Sequence, residues 1–257
     1  MHVETTYQGA VATVTLNRPE KMNALTREMR EELIAAFQSL RFNDAVRAIV
    51  IAGAGPNFCA GADIDRMAED DLRGRRDRLQ SLSHVYMRAL HNIEKPVVCA
   101  VRGHAVGIGM SIVLGCDIVL AADTARFGQT FRRIGYVPDG GGIWFLARRL
   151  PMNVAKELVF TGRVFDADEA HRLGIVNHVV PDAELDARAA AMAADLAEGP
   201  TFAIGLSKKL FHIAQGPSLD DFLEMEAFAQ PSAGMSRDHK EGVAAFREKR
   251  KPKFVGR

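Results

Sequence analysis

Along Val11-Ala12-Thr13-Val14-Thr15-Leu16 apolar and polar positions alternate with a period of two, and β-branched residues predominate, which predicts a strand. Asn17-Arg18-Pro19-Glu20 turns the chain. From Thr26 the period changes: Met29, Leu33, Phe37 and Leu40 recur at three- and four-residue steps, the stripe of an amphipathic helix. Residues 48–52 are a short apolar run ahead of glycines, as in a strand buried on both faces. A helix over 81–93, a strand over 97–101, a helix over 107–114 and a strand over 118–121 follow. This alternation predicts an α/β architecture with parallel pairing. Beyond Ile143 the period is almost wholly helical, apart from a strand at 177–180. Helices are expected over 184–198, 201–214, 218–229 and 238–249, with Gly199-Pro200 as punctuation. The expected organisation is an α/β core over residues 1–195 and a helical region over 196–257. The charge-dense segment 65–78 predicts an exposed or mobile stretch, and no internal repeat is visible.

Composition narrows the class. The chain has 257 residues, 47% hydrophobic and 25% charged, which suits a soluble globular protein able to bury a sizeable core. Lys+Arg 33 against Asp+Glu 32 leaves no global attraction to nucleic acid. Cys59, Cys99 and Cys116 lack metal-ligand spacing and fit reduced, packed thiols. No secretory signal or membrane-length apolar run is present, so a cytoplasmic location without membrane contact is expected.

Three segments carry candidate chemistry. Gly53 to Ile64 follows a strand, and its small residues Ala60, Gly61 and Ala62 would let a ligand approach the backbone, with Asp63 as a helix cap. Gly103 to Ser111 repeats the arrangement. It is not a dinucleotide fingerprint, because Ile112 stands where the third glycine would. Each segment offers free N–H groups at a helix start, and each also reads as an ordinary strand-to-helix connection. Pro138-Asp139-Gly140-Gly141-Gly142 places one carboxylate in a glycine-rich turn, where Asp139 reads either as an N-cap or as an acid–base group. His104 reads as a structural histidine and Trp144 as packing; Tyr86, Met87 and Leu90 suit a pocket wall or the core equally.

Taken together these segments resemble the enoyl-CoA hydratase/isomerase (crotonase) superfamily. Residues 17–25, 58–64, 103–117 and 127–142 are similar to four of its motifs in order, and 241–252 to its ending. The resemblance implies a crotonase-like spiral of ββα units, a helical trimerisation region, homotrimers or dimers of trimers, and an acyl-CoA ligand. It implies an oxyanion hole from the N–H groups of Ala62 and Ile108, the latter preceded by Gly107, where the family usually has glycine in place of Ile108. It also implies that backbone around Ala24, Ala60, Asp63 and Ile64 holds coenzyme A, with Lys249 of a neighbouring subunit near the phosphates.

The departures are informative. Hydratases of the family use two glutamates, and at those places this chain has Ser111 and Phe131, neither of which takes a proton at neutral pH. The Asp139 turn resembles instead the isomerase subgroup that includes epoxyphenylacetyl-CoA isomerases. The implied activity is a double-bond shift between 3- and 2-enoyl-CoA, or epoxide-to-oxepin isomerisation of an arylacetyl-CoA, with Asp139 as the one base and Phe131 keeping the site dry. No metal or redox cofactor is called for, since coenzyme A is part of the substrate. The alternatives are a hydratase with an atypical acid–base group and a catalytically silent acyl-CoA-binding homologue.

Overall fold

A computed structural model describes residues 1–63 and 71–257. Six strands form the main sheet: β1 (Val3–Gln8), β2 (Val11–Leu16), β3 (Ala48–Gly53), β4 (Val97–Val101), β6 (Ile118–Ala122) and β9 (His178–Val180). Their spatial order is β1-β2-β3-β4-β6-β9, antiparallel only between β1 and β2. A second sheet joins β5 (His104–Val106), β7 (Arg126–Gly128) and β8 (Phe165–Asp166) in the order β5-β7-β8.

The two sheets are built by one manoeuvre repeated. A strand of the main sheet ends, the chain adds a short strand to the second layer, and a helix returns it. β4, β5 and α4 (Ile108–Gly115) make one such unit; β6, β7 and α5 (Gly142–Arg149) make another, with a 3-10 turn at Thr130–Ile134 inserted. β3 begins a third, in which the second strand is reduced to a bridge between Cys59 and Ala105. This is the expected spiral of ββα units. Sequence inspection finds no repeat because the second strands have only two or three residues.

Side-chain alternation sends the two faces of the sheet into different layers. Ile49 and Ile51 of β3 join the core beneath α1 (Arg27–Phe42), whose buried residues are Met29, Leu33, Phe37 and Leu40. Ala48 and Val50 face α8 (Leu185–Glu198), which packs through Leu185, Ala189, Ala193 and Ala197. α1 starts where expected: Thr26 accepts a hydrogen bond from Met29 N at 3.3 Å. β1 was not expected, because as an edge strand it buries only Val3 and so shows no apolar alternation.

The charge-rich 65–78 stretch is largely exposed where it is described, as expected. Residues 64–70 lie outside the described residues, but Leu72–Arg78 is a helix, α2, capped by the Asp71 carboxylate on Gly74 N at 2.8 Å. It runs through a five-residue π-helical turn, Leu79–Ser83, into α3 (His84–Asn92). Tyr86, Met87 and Leu90 of α3 are core residues. α6 (Met152–Thr161) and α7 (Ala167–Arg172) precede β9. α9 (Thr201–Ile213), α10 (Leu219–Gly234) and α11 (Arg237–Glu248) close the chain. The C-terminal residues return to the body: buried Asp238 accepts from Val255 N and Gly256 N at 2.6 and 2.8 Å, and Arg47 donates to Phe254 O at 2.9 Å.

Candidate active site

Two loops, one after β3 and one around β5, are laced together. Cys59 N donates to His104 O at 2.8 Å and Val106 N to Cys59 O at 3.0 Å. This register brings Gly61 against Gly107, where an added Cβ would lie 3.7 Å from Gly61 Cα. The approach is close: a Cβ on Gly61 would lie 3.3 Å from Val106 O, and both glycines have positive φ. Ala62 forms a parallel bridge with Leu25 in which Gly61 O and Asp63 N make the bonds, at 2.8 and 3.1 Å. Its own N–H therefore points away from Leu25 and has no protein partner among the described residues. Ile108 is the first residue of α4, so its N–H is one of the orphan donors of a helix start. Two unbonded N–H groups thus stand on adjacent loops.

Asp139 does not cap the helix after it. The N-cap of α5 is Gly141, without a side-chain cap, and Asp139 contributes only its main-chain carbonyl, which accepts from Gly142 N at 3.1 Å. Its carboxyl is left for another purpose. Oδ1 is buried with no hydrogen-bond partner, and burial pushes the carboxyl up to about 6, partly offset by the nearby Arg30 charge. The turn is pressed onto α4: a Cβ on Gly140 would run into Ile108 Cδ1. Ser111 secures it, its buried hydroxyl donating to Asp139 O at 2.9 Å and accepting from Gln129 Nε2 at 3.3 Å. The residue standing in place of a glutamate therefore positions the turn that carries the carboxylate.

A cavity of about 920 Å³ opens beside Asp139, large enough for a bulky organic group. Ala62, Asp63, Phe131 and Asp139 are in its wall. Of the other expected site residues, Ala24, Ala60, Gly107 and Ile108 are not in this wall, and Ile64 lies outside the described residues. The Asp63 carboxylate accepts from Arg18 Nη1 at 2.6 Å, and Ala60 N is bound to Met22 O at 2.9 Å, so both tie the loop together. Lys249 is the exposed C-cap of α11 and is not brought to this cavity within one chain. His104 is exposed, with Nδ1 3.0 Å from Asn57 Oδ1, in keeping with its structural reading. Trp144 is 41% exposed and stacks under Arg148, so it packs less than expected. Cys59 is buried and its thiol is pushed up to about 12, which makes it inert.

Sequence reasoning missed Arg30, Gln129 and the wall residues Leu82, Ser83, Tyr136 and Val137. Arg30 sits among charged residues on an amphipathic helix, where a cation ordinarily reads as solvated surface. Nothing in the spacing marks it.

The ββα spiral agrees with the relatives of the chain. A family model for enoyl-CoA hydratase/isomerase matches residues 6–257. The 1,2-epoxyphenylacetyl-CoA isomerase of Escherichia coli K12 is 39% identical over 250 residues, covering 96% of this chain and 95% of that protein. A crystal structure of enoyl-CoA hydratase from Bacillus anthracis superposes with TM-score 0.95 at 31% identity, covering 100% of both chains. A protein of Thermobifida fusca YX solved in complex with CoA matches with TM-score 0.81 at 34% identity, over 90% of this chain and 92% of that one. Sequence, topology and the laced loops converge on one assignment: the chain belongs to the enoyl-CoA hydratase/isomerase family.

Proposed function

We propose that the chain is an acyl-CoA isomerase in which Asp139 alone carries the proton. The observation that carries this reading is the Asp139 carboxyl itself, with Oδ1 buried and without a hydrogen-bond partner among the described residues, and raised to about 6 by burial in the cavity wall it shares with Ala62. The thioester oxygen binds between the N–H groups of Ala62 and Ile108. One such donor, aimed in advance at the developing oxyanion, lowers the barrier by about 3 kcal/mol. Asp139 removes a proton from the carbon chain, the electrons move into the thioester to give a dienolate, and the same carboxyl returns the proton two carbons away. For a ring epoxide the same base and donors assist isomerisation to an oxepin.

One carboxyl suffices because no water is consumed. The other carboxylates of the wall are occupied or peripheral: Asp63 is paired with Arg18, while Glu28 and Asp77 are exposed. Buried Phe131 covers the site where a hydratase of the family would hold water. The scheme needs no cofactor beyond the coenzyme A of the substrate. Assembly as a trimer belongs to the same reading. α10 buries none of its residues within the chain and exposes Leu223, Met225 and Phe228, and a neighbouring subunit would bring Lys249 near the coenzyme phosphates.

The test is to supply 3-enoyl-CoA and 2-enoyl-CoA separately and follow mass and retention time. An isomer of unchanged mass is expected. Product heavier by one water would replace this reading with hydration, and ligand binding without turnover on either compound would replace it with a silent binding protein.

A further inference from the structure

The cavity holds a cation that makes no side-chain hydrogen bond among the described residues. Arg30 lies in the second turn of α1, and its side chain shares a wall with Ala62, Phe131 and Asp139. Nε is buried without a partner, and no oxygen of the described residues accepts from the guanidinium. Its neighbours are different: Arg18 is bonded to Asp63 and to Ala24 O, and Arg27 to Glu31. A second polar atom nearby is equally idle. Tyr86 Oη is buried without a partner, close enough to Arg30 and Asp139 to feel both charges.

A guanidinium keeps its charge throughout the working pH range and presents five donors. Leaving it partly desolvated and unbonded costs free energy that an oxygen acceptor would recover. A hydrocarbon acyl chain brings none, and would set methylene groups against the cation. We propose that Arg30 is a specificity-determining residue that donates hydrogen bonds to an oxygen on the acyl portion of the substrate, so that this enzyme prefers oxygenated acyl-CoA thioesters to plain alkenoyl ones. The oxygen is a neutral one, in a hydroxyl, carbonyl or ether. A carboxylate would stand in the same cavity as the Asp139 base, where two like charges oppose each other and each disfavours ionisation of the other.

The inference rests on the acyl-CoA reading of the cavity but not on turnover, and the experiment keeps the two apart. Saturated acyl-CoA thioesters of one chain length are titrated into the whole protein by calorimetry: a hydrocarbon, a series with a hydroxyl or keto group at successive positions, and a compound ending in a carboxylate. At least one neutral oxygenated ligand is expected to bind about 10- to 100-fold tighter than the hydrocarbon, the worth of a hydrogen bond to a charged group. Arg30→Leu is expected to remove that difference by weakening the oxygenated ligand while the hydrocarbon binds as well or better. Arg30→Met, closer in length, should behave alike and guards against a folding defect in the first variant. Equal binding of hydrocarbon and every oxygenated ligand by the unaltered protein would overturn the inference, and so would an equal loss for both classes in the variants. A carboxylate ligand that bound tightest would overturn the assignment to a neutral oxygen. A saturated ligand cannot be isomerised, so failure of the isomerase reading would leave the binding difference standing.

Discussion

Two of the cavities in the protein differ sharply in character. The larger holds Asp139. The smaller, about 460 Å³, lies among α3, α5 and α9 and is walled by His91, Trp144, Phe145, Arg149, Lys208 and His212. In the smaller one none of the described wall residues has a buried side-chain polar atom without a partner. His91 and His212 stack with ring centroids 3.6 Å apart, and Lys208 bonds Asp117 at 2.7 Å. Around the larger, Arg30 Nε, Tyr86 Oη, Gln129 Oε1 and Asp139 Oδ1 are all buried without partners among the described residues. The remaining atom of this kind, Arg102 Nε, is 3.5 Å from Asp182 and so is paired electrostatically. Buried polar atoms are costly to leave unbonded, so their concentration in one place marks where the fold gives up stability for chemistry.

The titrations of the two regions oppose each other as well. Burial raises Asp139 to about 6, so its contribution to stability is full below about pH 4 and is lost as pH rises through 6. Burial and neighbouring cations lower His91 and His212 to about 4, so the stability linked to them is present above 6.5 and is lost as pH falls toward 4.

The sharpest way to break the contrast is Asp139→Asn. Turnover should fall at least about 1,000-fold, as expected when the one acid–base group is lost, while a saturated acyl-CoA still binds within about threefold. Preserved turnover would mean that another group moves the proton. The same variant should melt at a higher temperature at pH 8. A shift from 3.8 to about 6 is about two units, or about 3 kcal/mol at about 1.4 per unit, less whatever the buried amide itself costs. Next in size is the pH profile. Since Asp139 must be ionised to act as base, kcat/KM should rise about tenfold per pH unit below 6 and level off above it. A profile flat from pH 5 to 8 would detach Asp139 from the rate. Ser111→Ala removes the hydroxyl on Asp139 O and should lower kcat about 5- to 10-fold with little change in KM, in line with about 1 kcal/mol for one hydrogen bond. An unchanged kcat would leave the turn positioned by packing alone. The smallest effect is expected in the other cavity: His91→Phe should alter kcat/KM less than twofold and improve resistance to acid unfolding. A tenfold loss there would couple the cavities and erase the distinction.

Much of this was readable from the chain, for identifiable reasons. β2 and α1 declare themselves because their buried faces follow periods of two and 3.6, and β3 and β4 because burial on both faces gives short continuous apolar runs. Asp139, Ala62 and Ile108 stand out as a carboxylate and two helix starts set among glycines. β1 hides because an edge strand buries one residue, and α2 because a charged helix offers no apolar stripe.

What the sequence determined by itself was the set of parts: short strands punctuated by glycine, the helices that cover them, and an acid set in a glycine-rich turn. Their relations were decided by the tertiary structure. Whether Asp139 caps a helix or faces a cavity depends on which residue ends the turn, and that residue proved to be Gly141. Whether Arg30 meets water or the Asp139 cavity depends on what α2 and α3 place over α1. Periodicity reports the burial of a face, which is a local average. The loss of a hydrogen-bond partner is a property of single atoms brought together from distant segments, and only the assembled fold contains it.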